Sequence, residues 1–219
     1  MGLLLLCFGA VSLSGACTPL MHISLPVSSI VETAETAKPT TTTADVMVKW
    51  NKPAHCGAEL ANVVEDLRAI GVEAKNAQCG ETSTGTKFIF SMDVTLVTNA
   101  GERPAGAGLV LEIDAEIGKI QGTNITLVGM NTAGKLAELT GYEKPDFLPP
   151  EIVVDVFNDT NRDYSVQFEQ VFVDHEPFMP DRTFDLQRYA RAAVQLNDAA
   201  SAVIAAGNAN RFMTLYPLP

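Results

Sequence analysis

The sequence predicts an α+β fold: mostly antiparallel sheet with two or three helices, one of them stapled by a disulfide. Three observations carry that expectation. Apolar and polar residues alternate through most of the body, the signature of half-buried strands. Helical spacing shows in only two or three places, too few to interleave with the strands as parallel βαβ units would require. Cys56 and Cys79 bracket one of those helices and the strand that follows it.

Taken in order, Met21, Ile23, Leu25 and Val27 alternate with polar neighbours, and Pro26 pushes that strand toward a sheet edge because it has no backbone donor. Residues 31–45 carry few large apolar groups and a threonine run, and read as a loop or tether. The folded body is expected from Asp45 onward. Val46, Val48 and Trp50 give a strand; Leu60, Val63, Val64, Leu67 and Ile70 give a helix with Gly71 as its C-cap. A returning strand then ends at Cys79. Phe88, Phe90, Met92, Val94 and Leu96 face one side of a long strand, with Lys87, Ser91, Asp93 and Thr95 on the other. Leu109, Leu111 and Ile113, then residues 125–128, make two more.

A short helix is expected over 135–140, capped by Asn131 or Thr132 and stopped by Gly141. Ile152, Val154 and Val156 form a strand. Asn158 to Asp163 turns it into Tyr164, Val166 and Phe168, which reads as a hairpin with a longer loop. The alternation slips at Glu169-Gln170, suggesting a bulge before Val171 and Val173. A last helix runs from about Asp198 to Ala206, capped by Asn197 or Asp198 and stopped by Gly207. Arg211 to Leu215 closes the chain as a strand. No repeat at a fixed period is present.

The chain has 219 residues with 47% hydrophobic content, enough for one domain with a substantial core. Its formal net charge is −11, without a Lys or Arg run able to track phosphates, which argues against nucleic-acid binding.

The N-terminus carries an address. Leu3 to Leu13 is an apolar run too short to span a bilayer, followed by small residues at Ser14-Gly15-Ala16. This predicts a signal peptide over 1–16, although no Lys or Arg precedes the run; the alternative is a buried N-terminal strand or helix. Leu13-Ser14-Gly15-Ala16-Cys17 resembles a bacterial lipobox, with Ser14 where Leu is usual. The resemblance implies lipidation at Cys17, and ordinary secretion is the rival. Residues 17–44 are then expected as a lipid-anchored segment and tether, and 45–219 as a single α+β domain. The remaining pair, Cys56 and Cys79, is read as a disulfide worth roughly 3 kcal/mol in the chain-entropy model. A two-thiol metal or redox site is the alternative, but neither cysteine has a CxxC partner.

Three constellations carry residue types suited to chemistry. Asp159-x-Asn161-x-Asp163 mimics the opening of a calcium loop, but Tyr164 and Gln170 stand where Gly and Glu are needed, so a polar turn is expected. Glu112, Asp114 and Glu116 lie at i, i+2 and i+4 on one strand face, where three carboxylates can bind a divalent ion or host acid–base chemistry, but a solvated face in an acidic chain explains them equally well. His175-Glu176 offers a base and a carboxylate in a turn, with no nucleophile motif nearby. No catalytic residue, metal site or cofactor is therefore expected.

The layout also resembles uncharacterised lipoproteins of phages, plasmids and proteobacteria that share a domain of unknown function. The resemblance rests on Ser24-Leu-Pro-Val-Ser28 soon after Cys17, the spaced Cys56 and Cys79, and the Phe88–Val97 strand. Val154-Asp-Val-Phe-Asn-Asp-Thr160 and Val194 to Val203 add to it. It implies a place in the bacterial cell envelope, at the periplasmic face of a membrane or in the periplasm, and supplies no activity. The expected function is a non-enzymatic binding module held to the membrane by its lipid. Its partner would be an envelope protein, in phage exclusion, conjugation or envelope assembly. A periplasmic hydrolase using His175, Glu176 and the acidic strand, or a structural subunit of a secretion or virion-associated assembly, are the alternatives.

Overall fold

The computed structural model describes residues 19–50, 56–69, 71–82, 85–98, 109–115, 123–129, 150–179 and 181–218. Among them the chain is dominated by β-structure. The first strands are β1 (Leu20–Pro26), β2 (Thr40–Trp50), β3 (Lys75–Thr82), β4 (Gly85–Thr98), β5 (Leu109–Ala115) and β6 (Thr123–Gly129). After them come β7 (Glu151–Phe157), β8 (Tyr164–Phe168), β9 (Val171–Val173) and β10 (Glu176–Pro177). The last are β11 (Phe184–Leu186), β12 (Arg191–Leu196) and β13 (Ala209–Pro217). The helices are α1 (Val27–Thr36), α2 (Cys56–Ala69) and α3 (Asp198–Ala205).

The α+β expectation is thus corrected to a mainly β fold. Thr40 to Thr43 pair with Leu96 back to Asp93 and extend β2. Threonine is β-branched and fits a pleated strand, although a threonine run in sequence also reads as a tether. The strand expected from Met21 is β1, but residues 31–44, expected as a loop or tether, complete α1 and begin β2, and Ile23, Leu25, Val27, Ile30 and Ala44 are fully buried. The disulfide staple is not part of the described fold. The side chain of Cys56 lies outside the described residues, so no bridge between Cys56 and Cys79 is described, although Cys79 is not a free thiol. The expected helix over 135–140 also lies outside them.

One hydrogen-bonded path connects the strands in the order β10-β9-β12-β7-β1-β2-β4-β5-β6-β13-β8-β11, and β3 pairs with β4 beside it. All described pairings are antiparallel except β1 with β7 and β4 with β5. The long β4 shares one edge between two neighbours: β3 runs along Gly85 to Ser91 and β5 along Thr95 to Thr98.

Chain connectivity forces this sheet to roll. β8 and β9 stand nine strand spacings apart on the path, roughly 43 Å if the sheet were flat. Only Glu169 and Gln170 join them, a link of about 10 Å at full extension. The sheet therefore folds over until its two ends meet, and aromatic contacts seal the meeting. The ring of Phe168 on β8 meets that of Phe178, just after β10, edge to face at 5.3 Å. Inside lies one continuous core that draws on both halves, including Ile23, Leu111, Ile152, Phe168, Val194 and Phe212. The expected bulge at Glu169-Gln170 is this crossing, with Gln170 at φ 59°. The expected hairpin between β7 and β8 is a crossing too: β7 pairs with β1 and β12, whereas β8 pairs with β13 and β11. β1 is an interior strand between β2 and β7, and Pro26 is tolerated because it is the last residue.

Helix ends follow their sequence signals. Gly71 (φ 86°) and Val72 close α2 by donating to Arg68 and Leu67, and Gly207 (φ 80°) and Asn208 close α3 on Ile204 and Val203 in the same way. Asn197 caps α3 by accepting from the Ala200 amide at 2.8 Å.

Candidate functional site

The strand registers define two ends of the molecule. At one end lie Pro19, whose carbonyl accepts from the Glu151 amide, and the last residues of β12. At the other end β1 and β7 finish together at Pro26 and Phe157, β12 begins at Arg191, and β8 begins at Tyr164 opposite Pro217 and Leu186. The β7–β8 loop, the β11–β12 turn and the C-terminal residues thus converge at this second end, called here the loop end.

Asn158 organises it. Its side chain is fully buried, and its amide nitrogen donates to the carbonyls of Arg162 (2.8 Å), Leu186 (3.1 Å) and Gln187 (3.0 Å). Its amide oxygen accepts from the Thr160 hydroxyl at 2.8 Å, and its backbone exchanges bonds with Ala190 and Tyr189. A buried carboxamide that joins two loops in this way fixes their relative position, since each bond lost would leave a buried polar group unpaired.

The next residues face outward. Asp159 accepts from the Ser28 amide at 2.8 Å and from the Ser28 hydroxyl, and so caps α1, whose own N-cap is Pro26 and makes no side-chain cap bond. Asp163 accepts from the Arg188 amide at 2.8 Å and lies 3.4 Å from Arg188 Nε. Both outer carboxylates of the calcium-loop look-alike are therefore engaged in holding the turn. The described residues include no group of three or more His, Cys, Asp or Glu side chains placed for a metal.

Above this frame lies an open depression lined by Asn161, Arg162, Asp163, Arg188 and Leu218. Tyr189, next to Arg188 in the chain, is 71% exposed and held at φ 62°. Leu218 is 39% exposed and anchored through its amide to the Asp163 carbonyl. Arg191 lies nearby on β12, 4.6 Å above the Phe157 ring and 3.1 Å from Asp155. The resolved pKa shift among the described residues belongs elsewhere: Lys75 is raised by its hydrogen bond to Asp93 on the neighbouring strand and by the charges of Asp93 and Glu73, against an opposing desolvation.

The other residues singled out in the sequence are dispersed. Cys17 and Glu116 lie outside the described residues, and Glu112 and Asp114 remain on β5. His175 and Glu176 are exposed at the β9–β10 hairpin, where Asp174 (φ 50°) and His175 (φ 71°) are the two central residues of a tight turn. His175 is thus an exposed turn residue, and among the described residues no hydrogen bond places a partner on its ring for base catalysis. Phe88, Phe90 and Phe168 are core, while Phe157 is half-buried under Arg191. Arg162, Arg188, Tyr189 and Leu218 carry no motif; only the turn-forming Asn158–Asp163 run marked their neighbourhood.

Fold and surface together define a β-rich domain whose loop end carries Arg162, Arg188 and Tyr189 alongside the carboxylates of Asp159 and Asp163. The chain belongs to the family described as a domain of unknown function (DUF7424), which matches residues 21–216. The match begins within β1 and ends within β13, so the family domain includes the first strand, α1 and all of β2. No curated protein and no solved structure matches the chain.

Proposed function

We propose that this chain is an exported, lipid-anchored envelope protein whose domain is a binding module presenting the loop end to a protein partner. The observation that carries the reading is polarity. Only Thr18 and Pro19 separate Cys17 from β1, and β1 begins at the end of the molecule opposite the loop end. Seven residues of strand place the two about 20 Å apart along the strand direction. An acyl chain on Cys17 would hold one end at the membrane and turn Arg162, Arg188 and Tyr189 away from it. With β1, α1 and β2 built into the fold, no long tether lends the domain reach, so contact would occur close to the membrane. The leader Leu3–Leu13 and the small residues before Cys17 support export. Roles in phage exclusion, conjugation or envelope assembly fit such a module. The hydrolase alternative draws no support from His175 and Glu176, both exposed at a hairpin turn.

The test is the intact mass of the protein from the membrane fraction, with a Cys17→Ser variant beside it. Cleavage before Cys17 with added acyl mass, and release of the variant into the soluble fraction, is the expected result. A chain that still begins at Met1 would overturn the reading.

A further inference from the structure

We propose that this domain is a mechanical clamp that withstands tension along its strands, an inference that rests on the reading in which Cys17 holds one end at the membrane and a partner takes hold of the loop end. The two ends of the chain leave the fold at opposite ends of the molecule. β1 starts at the end away from the loop end, beside Glu151 of its parallel partner β7. β13 runs antiparallel to β8 and finishes at Pro217 opposite Tyr164, at the loop end. Both terminal strands therefore point the same way, and a pull on their outer ends draws them past their neighbours lengthwise.

Neither of them is an edge strand. β1 lies between β2 and β7, and β13 between β6 and β8, while the short edge strands β10 and β11 carry neither terminus. All 7 residues of β1 are in register with β7, and Leu20 to Ile23 are also in register with β2. Beyond Ile23 the Thr42 hydroxyl donates to the Ser24 carbonyl. At its start the Pro19 carbonyl accepts from Glu151, and past its finish Asp159 holds the Ser28 amide and hydroxyl, so β1 is fastened at both ends. β13 is paired on both sides as well, and the Leu218 amide extends its hold to the Asp163 carbonyl.

The hydrogen bonds of a ladder run across the strands, so a lengthwise pull strains all of them together, whereas a sideways pull at one end opens them one at a time. Sliding offers no easy escape. A slip of one residue turns the fully buried Ile23 and Leu25 outward, and the next register that returns them inside lies about 7 Å away. Val27 and Ile30, fully buried just behind the strand, would have to be dragged with it. Resistance of this kind sits in the unfolding barrier and depends on the direction of pull, which equilibrium stability does not.

The experiment is single-molecule force spectroscopy on the full chain, made by cell-free synthesis so that no segment is removed and no lipid is added. One handle precedes Met1. The other either follows Pro219 or is attached at an Ala199→p-azidophenylalanine substitution, on the exposed first turn of α3 and at the same end of the molecule as the start of β1. Every molecule carries that substitution, so stability is matched between the two geometries. Rupture in the end-to-end geometry is expected at a force at least about twofold that of the same-end geometry. Asp159→Ala should lower the end-to-end force and leave the same-end force unchanged, because its hold on Ser28 is strained only by a lengthwise pull; a general loss of stability would lower both. Equal forces in the two geometries overturn the proposal, as does an Asp159→Ala variant that weakens both alike or neither. Failure of the anchoring reading would show instead as an unprocessed N-terminus in cells, with the contrast between geometries intact.

Discussion

Asn158 shows how much one buried side chain can organise. It donates to three carbonyls and accepts from Thr160, all from a fully buried position. Asn158→Ala should cost about 3 kcal/mol, because it strands the buried Leu186 carbonyl and removes the bonds that hold the two loops together. The near-isosteric Asn158→Asp should be at least as damaging, since it sets a carboxylate against those carbonyls; chemical denaturation measures both. His175 makes the opposite case. At φ 71° it occupies a turn position that glycine adopts without strain. His175→Gly is therefore expected to leave stability unchanged or raise it by up to about 1 kcal/mol, and to leave any binding activity intact. A loss of activity with the fold preserved would revive a chemical role for this side chain.

At the scale of elements, α1 depends on a residue remote in sequence. Val27, Ile30 and Thr33 bury one face of the helix, and its first turn is satisfied by Asp159 from the β7–β8 loop. Asp159→Ala should destabilise the protein by about 1 kcal/mol, the usual worth of a cap. Asp159→Asn should cost less, because one acceptor remains; thermal melts of the pair separate capping from charge. β13 illustrates a different local device. A register shift between Arg211 and Met213 lets Phe212 and Met213 both lie inside, fully buried, where strict alternation would expose one of them. The alternation of β4 needs no such device up to Leu96, and its buried face is the one read directly from the sequence.

At the scale of the whole molecule, β1 is the joint. It pairs antiparallel with β2 and parallel with β7, so it links the half of the sheet that ends at β10 to the half that ends at β11. A chain beginning at Asp45 would lose β1, α1 and half of β2, together with the buried Ile23, Leu25, Val27, Ile30 and Ala44. Such a truncation should fail to fold cooperatively, as judged by near-UV circular dichroism and protease resistance. A stable, protease-resistant fragment would restore the view that these residues are only a tether. The family match, which begins at residue 21, agrees with their place in the domain.

The sequence by itself determined what depends on neighbours a few residues apart. The alternating faces of β4, β5, β7 and β8, the caps Gly71, Asn197 and Gly207, and the turn over Asn158–Asp163 were all legible, because period, capping and turn chemistry are local physics. What only the tertiary structure decided depends on which strands meet. A threonine-rich stretch became strand because β4 lies beside it. Pro26 ended an interior strand because β7 ends beside it. β7 and β8 separated because two residues carry the chain from one end of the rolled sheet to the other. The loop-end surface belongs to this second kind: Arg162, Arg188, Tyr189 and Leu218 come from three separate stretches, and their convergence is set by the pairing of β8 with β11 and β13 and by the bonds of Asn158, neither of which leaves a local pattern in the chain.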